Sequence, residues 1–145
     1  MKGLCLFAAL ALAACDALPK DQSGTLDRVQ AEHVFRVGMI AGSGAHCPDK
    51  SRAFLAEVSR AAGASPRTET GPAEPLLSAL RRGDLDLVLG EVASDSPWAT
   101  EVSIMEPLAT GCPGEVDYSA IGRNGENRWI MLLEDAGRTV SKGGA

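Results

Sequence analysis

Apolar side chains recur along this chain with two periods that take turns. Residues 34–40, Val-Phe-Arg-Val-Gly-Met-Ile, are strand formers with apolar side chains on both faces, the pattern of a central parallel strand. A small-residue loop follows at residues 41–45. Pro48 and Asp49 suit the start of a helix, Phe54, Leu55, Val58, Ala61 and Ala62 recur at helical spacing, and Gly63 is placed to end it. Residues 66–70 are polar throughout and predict a short edge strand. A second helix is predicted over residues 73–82, with Pro75 in its first turn, Leu76, Leu77 and Leu80 on the buried face, and Gly83 closing it. Residues 85–89 read as the next strand, stopped by Gly90. Residues 102–108 and 116–121 predict two more, with Pro113-Gly114 as a turn between them. Asn124 suits the N-cap of a last helix whose apolar face is Trp129, Ile130, Leu132, Leu133 and Ala136, with Gly137 as its stop. No internal repeat or low-complexity tract interrupts the series.

Strands alternating with helices imply an α/β fold: three layers, a mostly parallel sheet with flanking helices, joined by right-handed crossovers. Ligands of such sheets bind beyond the carboxyl ends of the strands. Residues 41–50, 70–75 and 90–98 meet there, so the candidate ligand-binding residues are Ser43, Gly44, His46, Thr70, Glu91, Ser94, Asp95 and Trp98. Helix N-termini near Pro48 and Ala73 offer backbone N–H groups to an anion. Taken singly, each of these residues reads equally as a solvated loop position, and Trp98 as a packing residue. Trp129 is expected in the core and His33 on the surface. Glu91 and Asp95 as an acid–base pair compete with a plain solvated acidic loop. Gly42-Ser43-Gly44 lacks the Gly-Lys-Ser/Thr ending of a phosphate loop, and no Ser/His/Asp order stands out, so no catalytic role is expected.

The amino terminus carries a different signal. Lys2 is followed by an uncharged apolar run from Leu4 to Ala14, too short to span a bilayer, which needs about 20 residues. The run ends in Leu12-Ala13-Ala14-Cys15, which resembles the lipobox of bacterial lipoproteins. That resemblance implies cleavage before Cys15 and lipid on its thiol; an ordinary signal peptide with a nearby cysteine is the alternative. The expected organisation is a signal peptide at 1–14, a lipidated cysteine and tether at 15–32 with a short helical turn near its end, a single lobe at 33–138 and a tail at 139–145. Export would place the chain on the periplasmic side of a bacterial membrane. There Cys47 and Cys112 remain as an even pair in an oxidising space, which favours a disulfide. A metal site from His46, Cys47 and Cys112 is the rival, although it lacks the usual four-ligand spacing; no metal and no other cofactor is expected.

Composition narrows the partners. A formal net charge of −5 argues against nucleic acid, and 4% aromatic residues leave few rings for stacking on bases or sugars.

Several segments also resemble a family. Thr25-Leu26-Asp27-Arg28-Val29 followed by Phe35-Arg36-Val37-Gly38 resembles the opening of the polar amino-acid type (family 3) of solute-binding proteins. Residues 76–90, a leucine-rich helix, Gly83-Asp84, then Asp86 before an apolar strand ending in Gly90, resemble that family's second helix and third strand. Residues 97–108 and the closing run 120–133 are similar to its later segments. The resemblance implies one lobe of a type II periplasmic binding protein, because residues 111–117 leave no room for the second. It further implies a non-catalytic, membrane-anchored solute-binding or solute-sensing lipoprotein, like the binding component of an ABC-type transporter. The partners would be a small polar solute, held weakly by one lobe, and a membrane transporter or a second copy. The arginine that the family places near residue 97 is replaced by Pro97-Trp98, so the usual clamp on an amino-acid carboxylate is absent. The competing expectation is an interaction module docking a membrane partner or a homodimer, marked by an exposed apolar strip around Trp98, Ile104 and Met105.

Overall fold

Strand β1 (Val34–Ile40) lies inside a five-stranded sheet, and its alternating side chains divide the molecule into layers. The computed structural model describes residues 21–43, 48–93, 95–109 and 117–142. Helix α1 (Thr25–Glu32) precedes β1; then come α2 (Pro48–Ala62), β2 (Ser65–Gly71), α3 (Ala73–Arg82), β3 (Leu87–Glu91), a 3-10 turn (Pro97–Thr100), β4 (Val102–Ala109), β5 (Tyr118–Arg123) and α4 (Asn127–Lys142). The sheet order is β2-β1-β3-β5-β4. β1 pairs in parallel with β2 and β3, whereas β5 runs antiparallel to both β3 and β4, so four strands share one direction. The α/β, three-layer, mostly parallel arrangement expected from the sequence is the one observed.

Phe35, Val37, Leu87, Leu89 and Ala120 face α1, α2 and α4, where Phe54, Val58, Trp129 and Leu133 fill the larger core. Ile40, Val88 and Ile121 face α3, whose Leu76, Leu77 and Leu80 form the smaller core. Gly90 is required where these layers close: a Cβ there would lie 2.5 Å from Ile40 Cδ1.

Four boundaries differ from the sequence reading. β3 and β5 sit two residues later than expected, at Leu87–Glu91 and Tyr118–Arg123. Asn124 does not cap the last helix; its side chain bonds to Ser103 and to the Thr100 carbonyl. α4 also runs past Gly137 to Lys142, into the segment read as a tail. Gly137 is no stop: it lies within the helix, facing Leu108 of β4.

Two carboxylates from opposite ends of the chain cap the helices instead. Asp21 accepts bonds from the Arg128 and Trp129 amides at the start of α4 and from the Leu26 amide in α1. Glu126, fully buried, accepts from the Ser23 and Thr25 amides at the start of α1, at 2.8 and 3.0 Å. Burial alone would raise the Glu126 carboxyl's pKa, but the bonds from Thr25 and Ser23 outweigh it and hold it below its ordinary value. A depressed folded-state pKa means stabilisation that is complete above the unfolded-state value and lost as pH falls through the folded one. Wild-type stability to urea should therefore drop on acidification below the ordinary 4.5. Glu126→Gln should lose about 2 kcal/mol at neutral pH, and its stability should fall less on acidification.

Candidate functional site

Parallel pairing brings the carboxyl ends of β1, β2 and β3 to one edge of the sheet, and short polar contacts tie them together. The Ala41 amide donates to the Gly71 carbonyl at 2.8 Å, joining the exits of β1 and β2. The chain then turns, with the Ser43 amide bonded to the Ile40 carbonyl, so that Ser43 Oγ accepts from the Glu91 amide at 3.1 Å. Ser43 and Glu91, nearly fifty residues apart, are thus in contact where sequence reasoning put them. Glu91 is opposite Tyr118 in the β3–β5 ladder. The Tyr118 hydroxyl is held by Ser51 Oγ of α2 at 2.9 Å. Burial, only partly offset by the Ser51 bond and reinforced by the Glu91 charge, pushes the Tyr118 phenol above its ordinary pKa, so it stays a neutral wall at the edge.

Beyond Glu91 the chain crosses β5 beside the α3 core and leaves an open hollow of about 750 Å³. Val92, Asp95, Ile104, Glu106, Asp117 and Ser119 contribute to its lining. Among the described residues, three of its lining side chains are carboxylates, those of Asp95, Glu106 and Asp117, and none is a lysine, arginine or histidine. A cleft of about 340 Å³ between α4 and β4 carries both charge signs, Glu106 and Glu134 against Arg138 and Lys142, and so favours neither kind of ligand.

The other candidates are dispersed. Thr70 is exposed on β2 at the sheet margin. Trp98 is not brought to the carboxyl edge. It is half-buried against the α3 core, and the Arg81 guanidinium in the last turn of α3 lies 5.7 Å from its ring centroid, so the residue packs the far end of that helix. Gly44, His46 and Ser94 lie outside the described residues, as do Cys15, Cys47 and Cys112 with the expected lipidation, disulfide and rival metal site. Sequence reasoning missed Glu106 and Asp117. Glu106 lies within β4 and Asp117 directly before β5, and only the antiparallel pairing of those strands brings them together; the one local signal was an acidic residue flanking Pro107 and another just before a strand.

The apolar strip expected of a docking module is not open. Met105 is 7% exposed, and Trp98 and Ile104 are half-buried in the α3 core. Among the described residues the exposed large hydrophobic side chain is Met131, on the outer side of α4.

No family model and no curated protein matches the chain. Solved structures do match its fold. The arginine-bound form of domain 1 from TmArgBP (Phe57Trp mutant) superposes with a TM-score of 0.67 at 14% identity, over 81% of this chain and 98% of that one. The P235GK mutant of ArgBP from T. maritima gives 0.68 at 9% identity, over 83% and 94%. An amino acid ABC transporter substrate-binding protein from Streptococcus pneumoniae, bound to L-arginine, gives 0.65 at 7% identity, over 83% and 93%. The fold of this chain is that of a single lobe of such binding proteins.

Proposed function

We propose that this protein is a membrane-anchored, one-lobed solute-binding lipoprotein whose carboxyl-edge hollow takes a small cationic solute. The observation that carries the reading is the hollow itself: among the described residues, three carboxylates and no basic side chain line an open concavity along β4 and the end of β3. Charge-assisted hydrogen bonds from an amine or guanidinium would satisfy those carboxylates. The matched domain 1 from TmArgBP is an arginine-bound form of a lone domain, which supports binding without a second lobe. With no basic side chain among the described lining residues, recognition rests on the solute's positive end.

A thermal-shift and calorimetric screen tests this. Arginine, lysine and their decarboxylated amines should raise the melting temperature, as any ligand preferring the native state does, and glutamate should not. The amines should bind at least as well as the amino acids. Asp95→Asn combined with Asp117→Asn should raise Kd about tenfold, equivalent to about 1.4 kcal/mol. Stabilisation by anionic but not cationic solutes would overturn the reading. Silence with every compound would favour the docking module, with a membrane protein or a second copy as partner.

The anchor is tested separately. Cys15→Ala should abolish lipid labelling and move the chain from the membrane fraction to the soluble one. Unchanged membrane retention would sink the lipoprotein assignment.

A further inference from the structure

The point at which the folded lobe takes hold of its tether has a consequence for which side can meet the membrane. Asp21 bonds to the first amides of α4 and to Leu26 of α1, and the next amide, that of Gln22, donates to the Gly125 carbonyl at 3.1 Å. Gly125 follows the end of β5, and β5 is antiparallel to β3, so this anchorage lies at the amino-terminal edge of the parallel strands. The hollow runs along the flank of β4 from Ala99, and Asp95 and Asp117, beside the end of β3 and the start of β5, mark its end at the opposite, carboxyl-terminal edge.

Chain length makes the separation matter. From Cys15 to Asp21 there are six residue steps, a reach of about 20 Å when fully extended. The seven residues of β1 alone rise about 20 Å at ordinary strand spacing, and the loops beyond both ends of the sheet add to that height. A tether fixed at the amino-terminal edge therefore reaches the level of the carboxyl-terminal edge at best and cannot bring that edge onto the lipid.

We propose, on the basis of the lipoprotein reading, that the anchor presents this lobe with its amino-terminal edge towards the bilayer. The surface of α1 and the β5–α4 turn then faces the lipid headgroups, and the acidic hollow faces away from them. A solute arrives from the aqueous side. Any protein that supplies a second wall to the carboxylate end of the hollow must rise above the headgroups, so a transporter flush with the same membrane does not cover that end.

Energy transfer on the full lipidated chain tests the orientation. A donor fluorophore is placed through an unnatural amino acid at Gln30, exposed on α1, or at Glu74, exposed at the carboxyl-edge end of α3. The chain is reconstituted on vesicles of phosphatidylethanolamine and phosphatidylglycerol with acceptor-labelled headgroups. Transfer from position 30 should exceed that from position 74 by at least about twofold. Inserting a glycine–serine spacer of about 20 residues after Pro19 should erase most of that difference while leaving the chain on the vesicles. Equal transfer from the two sites, stronger transfer from position 74, or a difference that survives the spacer would each overturn the orientation while the chain remains bound. Failure of the chain to stay on the vesicles would overturn the lipoprotein reading, and the orientation with it.

Discussion

Trp129→Ala should lower the unfolding free energy by about 4 kcal/mol, a large part of the roughly 5–15 kcal/mol that holds a domain of this size together. The indole is fully buried on α4 and packs against Phe35 of β1, with ring centroids 5.9 Å apart and planes tilted by 60°. Its Nε1–H also donates to the Asp86 carbonyl at 2.7 Å, tying the last helix to the segment entering β3. Alanine removes both contributions and leaves a cavity between sheet and helix. Trp129→Phe keeps most of the apolar contact and deprives the Asp86 carbonyl of that donor, so it should cost about 1–2 kcal/mol. Urea denaturation followed by circular dichroism separates the two. If alanine proved no worse than phenylalanine, the packing account of this residue would fail.

Asp86→Ala should have the second largest effect, about 3 kcal/mol. The Asp86 side chain is 2% exposed and accepts from the Arg36 amide, from Arg36 Nε and Nη2, and from Arg28 Nη2. The bond it donates to Asp86 holds the Arg36 guanidinium above its ordinary pKa, against the opposing effect of burial. Removing the carboxylate strands two guanidinium groups that the fold has drawn together. Each is about one-third exposed and can partly rehydrate, which places the cost at the low end for a broken buried pair. Adding Arg36→Met to Asp86→Ala should recover part of the loss, because the two changes act on one contact. Simple additivity of the two substitutions would show that they do not share an interaction.

Asp86 also shows where the sequence misleads. Residues 85–89 look like a continuous strand, but Asp86 turns to collect Arg28 and Arg36, and the strand begins at Leu87 with Leu85 packed beneath α3 from the loop. α3 was legible to the residue because a leucine stripe and a terminating Gly83 act within one helix. β2 was legible as an edge from its polarity: residues 65–70 are all exposed. The start of α4 was not, since its cap comes from Asp21, over a hundred residues away in the chain. The candidate site divides in the same way. Ser43 and Glu91 follow from the general placement of ligands at strand carboxyl ends, whereas Glu106 and Asp117 depend on the antiparallel return of β5, which no local pattern announces. Trp98 went astray because the chain after Asp95 runs down towards the end of α3, so nearness to Glu91 in sequence is not nearness in space.

The outer strands of the sheet bear on how such a lobe tolerates company. β2 and β4 are its two margins. β2 carries Pro66, Arg67 and Glu69 among exposed residues, and β4 contains Pro107 with register shifts on either side of it. Proline offers no N–H, charges resist desolvation and an irregular ladder presents no straight template, so neither margin invites a strand from a neighbouring molecule. Growth of a sheet from chain to chain is fastest where copies are crowded together. With both margins blunted, crowded copies of this lobe should remain separate particles, and whatever joins them will use helix surfaces or loops rather than a shared ladder.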